Sequence, residues 1–200
     1  MMLKYKYRLI VLLISGLITT GCASKALHTI KENFEKSTAK VIAVLPVDNK
    51  TTDAQASQLL RAKVLDELYF KGYTRLPLEL IDKKLELLYS SEKKGEAGII
   101  APHVIKELLG ADAVMYCTLN EGKRTGILFY APVTVAASCE LRSTQDGDVL
   151  WNAQYKSTSR NFDFTSKRLE MKSYETFENL IDEVVNKVME TLPDGPNLRG

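Results

Sequence analysis

The side chains of this 200-residue chain that could do chemistry are few, and its three cysteines stand first: Cys22, Cys117 and Cys139. A thiol can be acylated, oxidised to a disulfide, or used as a nucleophile or metal ligand. The two histidines, His28 and His103, lie far apart in sequence. No Cys-x-x-Cys, His-x-x-x-His or phosphate-cradling glycine motif accompanies them, so neither a metal nor a nucleotide site is expected. Ser, His and Asp occur without the context of a nucleophile elbow. Asp112 and Glu140 read as a loop residue and a solvent-facing strand residue. No catalytic residue or cofactor is expected, and the chain is not read as an enzyme.

Cys22 sits in "LITTGCAS", residues 17 to 24. Before it, Lys4, Lys6 and Arg8 precede the apolar run Leu9 to Ile18. A run of about ten residues suits the core of an export signal and falls well short of the ~20 needed to span a bilayer. It has no polar face, as a packed helix would. Residues 1–21 therefore read as an export signal. Gly21-Cys22-Ala23 could serve an ordinary signal peptidase, but "TTGC" resembles the lipobox of bacterial lipoproteins, with Thr19 where Leu is usual. That resemblance is the preferred reading, because the Cys closely follows the apolar core. It implies a diacylglycerol on the Cys22 thiol, which becomes the new N-terminus. Several acyl chains give a stable hold where one gives only a reversible one. Ala23, rather than Asp, implies the outer membrane, with the periplasmic face preferred.

Without the leader's three cations, 24 basic residues face 25 acidic ones in a mature chain of 179 residues, a net charge of −1. No basic block or aromatic-interleaved basic stripe remains, so nucleic acid is not an expected partner. Cys117 and Cys139 are then an even pair in an oxidising compartment.

The elements that must position these residues follow from hydrophobic periodicity. Residues 22–40 read as lipidated Cys and tether, 41–192 as one globular domain, and 193–200 as a flexible tail. "VIAVLPV" (41–47) is the pattern of a strand buried on both faces. From Asp53 to Lys71, Leu59, Leu60, Val64, Leu65 and Leu68 recur at helical spacing, and Gly72 ends the helix. A short strand "YTRLP" and a helix "ELIDKKLELLYSS" follow. "EKKGEAG" is a polar break, and Pro102 opens a helix ending at Gly110. Three strands come next: "ADAVMYCTL", "VTVAASCELRS" and "DVLWNAQYKS". A long helix runs from 165 to about 191, with an apolar stripe of Tyr174, Phe177, Ile181, Val184 and Val188. That stripe suits docking on its own sheet or, alternatively, assembly with a partner helix. The order β-α-β-α-α-β-β-β plus a C-terminal helix predicts an α/β (α+β) fold, a mixed sheet with helices packed on it.

Val133, Val135, Ala137, Cys139 and Leu141 face inward on one late strand, and Val149, Trp151, Ala153 and Tyr155 on the next. All are odd-numbered, so facing residues must sum to an even number. A three-residue loop Gln145-Asp146-Gly147 with Gly147 left-handed satisfies this and sets Leu141 opposite Trp151. Cys117 falls on the same inward face with Ala113, Met115 and Leu119. Cys117 and Cys139 are then either a disulfide, which needs Cα atoms within about 7 Å, or two buried thiols.

One segment exceeds ordinary structural needs. In "EGKRTGILFYAP" (121–132), Ile127, Leu128, Phe129 and Tyr130 are consecutive and apolar beside a glycine-containing hairpin connection. As a loop tip they would form an exposed patch for a protein or membrane contact; alternatively they extend the next strand into the core. The polar loop "DNKTTD", with Asp48 and Asn49, precedes a helix start, where it is either an ordinary cap or an anion site.

"VIAVLPVDNKT", "LLRAKVLDELYFKGY", "LLGADAVMYCTL", "LRSTQDGDVLW" and the late "LPDGP" together resemble a family of bacterial outer-membrane lipoproteins related to a meningococcal lipoprotein antigen. The resemblance covers about residues 40–160. It implies a fold like the TolB amino-terminal domain and the CsgG periplasmic domain, an outer-membrane lipoprotein often accompanied by a CsgG-like pore lipoprotein, and no catalytic residues. Two functions follow as expectations. The first is a lipid-anchored interaction subunit, an accessory of a CsgG-like secretion channel or a homo-oligomer. The second is a periplasmic ligand- or cell-wall-binding module around Asp48 and Asn49.

Overall fold

A computed structural model describes residues 25–32, 34, 39–90 and 100–198. Cys22, the export signal and the "EKKGEAG" break lie outside the described residues. The strands are β1 (Leu27–Ile30), β2 (Val41–Val44), β3 (Asp48–Asn49), β4 (Thr74–Arg75), β5 (Ala113–Arg124), β6 (Tyr130–Ser143) and β7 (Val149–Phe162). The helices are α1 (Ala54–Phe70), α2 (Leu78–Ser90), α3 (Pro102–Leu109) and α4 (Ser166–Met189). All strands join one mixed sheet in the order β1-β7-β6-β5-β2-β4, with β3 also on β5. The β5-β6-β7 meander is antiparallel, whereas β2 runs parallel to both β5 and β4.

β2 is buried on both faces, as its unbroken apolar run predicts. Ile42 and Val44 enter the main core with Leu60, Val64 and Leu68 of α1 and Phe177, Ile181 and Val184 of α4. Ala43 and Leu45 enter a second core with Ile81 and Leu85 of α2 and Ile105 of α3. The sheet thus lies between two helical layers, each fully buried Leu or Ile contributing roughly 1.5–3 kcal/mol. The second layer packs on β2 and β5, and the outer faces of β6 and β7 carry mostly polar side chains. Buried Arg61 joins the layers: Nε and Nη2 donate to the Val44 carbonyl at 3.1 and 2.9 Å, and Nη1 pairs with Asp82 at 2.7 Å.

The helix boundaries follow the predicted signals. The Asp53 carboxylate accepts from the N–H groups of Gln55 and Ala56 at the start of α1. Pro102 begins α3, and Gly110 closes it in the left-handed region at φ 69°. α4 docks on its own sheet through the predicted stripe, with Leu192 buried beyond its end. Tyr174 is the exception and lies exposed.

Three expectations need correction. Within the stretch read as a tether, Leu27–Ile30 form an edge strand antiparallel to β7, and Phe34 is buried in the main core. The free edge of β7 supplies the pairing groups, which no local pattern in "LHTI" announces. Part of the tail read as flexible is also docked: Gly195 N–H donates to the Lys71 carbonyl and Asn197 N–H to that of Gly72. The β6–β7 connection, finally, is not a three-residue loop. Ser143 N–H donates to the Asp148 carbonyl and Gly147 N–H to that of Ser143, enclosing the four residues Thr144–Gly147. Gly147 is left-handed and Leu141 does face Trp151, but a register shift between them brings Leu150 into the core beside Trp151. A bulge restores the parity that the longer loop alone would break.

Candidate functional site

The β5–β6 connection tightens to a two-residue turn. Ile127 N–H donates to the Tyr130 carbonyl at 2.8 Å, and Tyr130 N–H returns the bond to Ile127 at 3.0 Å. Leu128 and Phe129 form the corner, and Leu128 takes φ 53°. A left-handed backbone costs a residue with a Cβ roughly 1–2 kcal/mol. The Leu128 side chain gains no burial in return: Ile127, Leu128 and Phe129 are 71%, 81% and 56% exposed. Only Tyr130, half-buried, begins the strand that enters the core. The first three residues of the run therefore form an exposed tip, because α4 first covers the sheet at Leu169, one turn inside its start.

The tip is wider than its sequence segment. β7 extends to the same end of the sheet, where Phe162 and Phe164 are 65% and 91% exposed. The Phe129 and Phe164 rings lie 6.4 Å apart, and those of Tyr130 and Phe162 lie 4.9 Å apart. A signal for Phe162 was available. Beyond the bulge at Leu150, even-numbered residues of β7 face away from the main core, so an aromatic at 162 falls on the solvent side. Between the tip and the start of α4 lies an open groove of about 910 Å³, lined by Arg124, Leu128, Phe129, Phe164, Leu169 and Tyr174 among others.

Polar contacts brace the base of the tip. Arg124 stacks on Tyr174 at 4.0 Å and on Phe177 at 4.9 Å, and donates to Asp53 at 3.1 Å. Lys172 pairs with Asp163 at 3.0 Å. The Lys172 hydrogen bond, helped by the Thr165 N–H, holds the Asp163 carboxyl below its ordinary range.

The other sequence candidates fall elsewhere. Cys117 and Cys139 are directly opposed across β5 and β6, joined as a disulfide with Cα atoms 4.1 Å apart. They lie inside the main core, away from the tip. Asp48 and Asn49 form β3 beside β5. The Asn49 side chain accepts from the Thr51 backbone N–H and hydroxyl and donates to the Asp53 carbonyl. The Asp53 carboxylate already takes the helix N–H groups, so this loop is a closed cap. Glu140 faces outward and pairs with Arg142. They border a polar hollow of about 610 Å³ that also includes His28 and Tyr116. There the Tyr116 hydroxyl donates to the Ile100 carbonyl at 2.6 Å, and burial pushes its pKa up to about 12. Among the described residues, no group of three or more His, Cys, Asp or Glu side chains is placed to hold a metal ion.

Residues 31–197 match the GNA1162-like lipoprotein family. The chain belongs to that family. The match extends beyond the 40–160 stretch that carries most of the resemblance, through α4 and into the docked tail where "LPDGP" lies. The crystal structure of lipoprotein GNA1162 from Neisseria meningitidis superposes with a TM-score of 0.50 at 22% identity, covering 70% of this chain and 96% of that one. A single-substitution variant of the PelC dodecamer from Paraburkholderia phytofirmans superposes with a TM-score of 0.53 at 14% identity, covering 83% and 96%. At such identities these neighbours establish the shared fold alone. No curated protein matches the chain in sequence. As a GNA1162-like protein the chain is an envelope lipoprotein, built on the mixed sheet with helices described above.

Proposed function

We propose that this lipoprotein is held at the outer membrane by acyl chains on Cys22, on the periplasmic side, and acts there by contact rather than catalysis. The observation that carries the reading is the tip. Five large apolar side chains are presented at one end of a domain whose core is complete without them, one of them on a strained backbone. Contiguous exposed apolar surface of this kind marks interaction sites, and strain without intramolecular return points the same way. In its finer form the reading makes the protein an accessory of a CsgG-like secretion channel, which the family resemblance supports. Self-association is the other form, supported by the neighbouring fold described as a dodecamer.

The test is chemical cross-linking of intact cell envelopes, followed by mass spectrometry of whatever is attached to this protein. A CsgG-like lipoprotein among the links supports the channel form, and links between copies support self-association. Links to neither, at a cross-linker density that captures known envelope complexes, would remove both forms. The ligand-binding alternative at Asp48 and Asn49 gains nothing from the geometry, since its polar groups bond to one another.

A further inference from the structure

Resting on that contact reading, we infer that what the tip touches is the lipid bilayer itself: Ile127, Leu128, Phe129, Phe162 and Phe164 form a second membrane attachment, beside anionic headgroups. Chain direction is the first argument. β1 is antiparallel to β7, with Ile30 opposite Trp151 and Leu27 opposite Gln154. Traced backward, the chain therefore runs along β7 toward Phe162, and Lys25 lies beside Tyr155 and Lys156. Cys22 precedes Lys25 by three residues, which span at most about 11 Å however they are arranged. From Lys156 the tip end of β7 is six residues away, roughly 20 Å, and the opposite end at Val149 is seven, roughly 23 Å. Because the chain is already heading for the tip when it leaves the sheet, an anchor on Cys22 brings the tip end, not the far end, toward the membrane.

Charge is the second argument. The first turn of α4 holds Lys167 and Arg168 and no acidic residue. That placement opposes the helix dipole, which favours carboxylates there. Both cations are exposed beside Phe164, and Lys123 and Arg160 face outward near the tip ends of β5 and β7. On the acidic side, Asp163 is paired with Lys172, Glu121 with Lys156 at 2.6 Å and Lys123 at 4.0 Å, and Glu170 is exposed. An apolar tip ringed mainly by cations is the arrangement that enters the boundary between anionic headgroups and acyl chains.

The probe is a tryptophan. Trp151 is fully buried, so it provides a constant background in Phe129→Trp and in a control, Phe70→Trp, on the exposed far end of α1. Each full lipidated chain is reconstituted into vesicles of phosphatidylethanolamine and phosphatidylglycerol, with or without brominated acyl chains. The expected result is at least twofold quenching and a blue shift for the residue-129 signal, with the residue-70 signal unchanged. Equal behaviour of the two probes overturns the inference. A photo-reactive amino acid at position 129 in intact envelopes separates the two failures. Adducts to protein alone overturn the membrane inference and leave the contact reading standing; adducts to neither lipid nor protein overturn both.

Discussion

Among the described residues, the turns at one end of the sheet are fastened to their neighbours, whereas at the other end the β5–β6 turn and the end of β7 carry bare aromatic rings. The fastened end gathers the β6–β7 turn, the start of β5 and the tail after α4. Buried Thr144 donates its hydroxyl to the Ala111 carbonyl at 2.7 Å and its N–H to that of Asp112 at 3.0 Å. The Asp112 carboxylate accepts from the N–H groups of Lys40 and Val41. Tyr73 donates to the Pro193 carbonyl at 2.8 Å, and the Trp151 indole donates to Thr191 at 3.1 Å. The tip end has backbone bonds in its turn, one bond from the Asp163 N–H to the Phe129 carbonyl at 3.1 Å, a few polar contacts at its base, and otherwise ring-to-ring contacts in solvent. Stability is therefore concentrated at the fastened end and through the core, which leaves the tip free to hold side chains chosen for something outside the fold.

The largest expected effect is at the heart of that division. Trp151 is fully buried between β6 and α4, so Trp151→Ala should cost about 3–5 kcal/mol. Chemical denaturation should show the loss as a lower midpoint with an unchanged slope. A cost under about 1 kcal/mol would mean the core does not depend on the β6–β7 register described. Next comes the Cys117–Cys139 disulfide, which closes a loop with a sequence separation of 22. Replacing both cysteines by alanine should cost about 3 kcal/mol by chain entropy. Thiol titration of the unfolded, non-reduced protein checks that the bond is present in the isolated protein.

How much of this was legible in the sequence differs between the same two ends. The two-faced burial of β2 and the pairing of Leu141 with Trp151 follow from local alternation, because a strand's period fixes which side chains share a face. That parity could not distinguish a three-residue loop from a four-residue loop followed by a bulge at Leu150, since both set Leu141 opposite Trp151. β1 and the tail were missed for another reason. "LHTI" and "PDGPNL" have no apolar period, and each is ordered by a distant partner, the edge of β7 and the Gly72 notch. The tip was legible as the run Ile127–Tyr130, but its other half required following β7 past Ser157 to Phe162. Two resemblances pointed to a lipoprotein: the lipobox-like "TTGC" close behind the apolar run, and the ordered set of family segments downstream.

A smaller effect tests the docked tail. A Cβ built on Gly195 would meet the Gly72 carbonyl oxygen at 2.6 Å, whereas one on Gly126 at the tip meets nothing within 4 Å. Since the obstructing atom is backbone, Gly195→Ala should displace the tail and cost roughly 1–3 kcal/mol. Gly126→Ala should stay within about 0.5 kcal/mol of the parent. Thermal unfolding of the two variants side by side reads the contrast directly, and equal shifts would erase the distinction between the ends.

The smallest expected effect on stability is also the sharpest on function. Leu128 holds a left-handed backbone with its side chain in solvent. Leu128→Gly removes the Cβ that makes this conformation costly, but it also gives the unfolded chain more freedom, and the two terms are each about 1 kcal/mol. The unfolding midpoint should therefore hold or rise slightly. The side chain lost is one of five at the tip, so attachment should weaken even as the fold is kept, measured as lower cross-linking yield in envelopes. A fall in stability of more than about 1 kcal/mol would show that Leu128 packs inward and belongs to the fastened part of the molecule. An unfolding midpoint that holds or rises together with a loss of attachment is the signature of a residue kept for contact rather than for the fold.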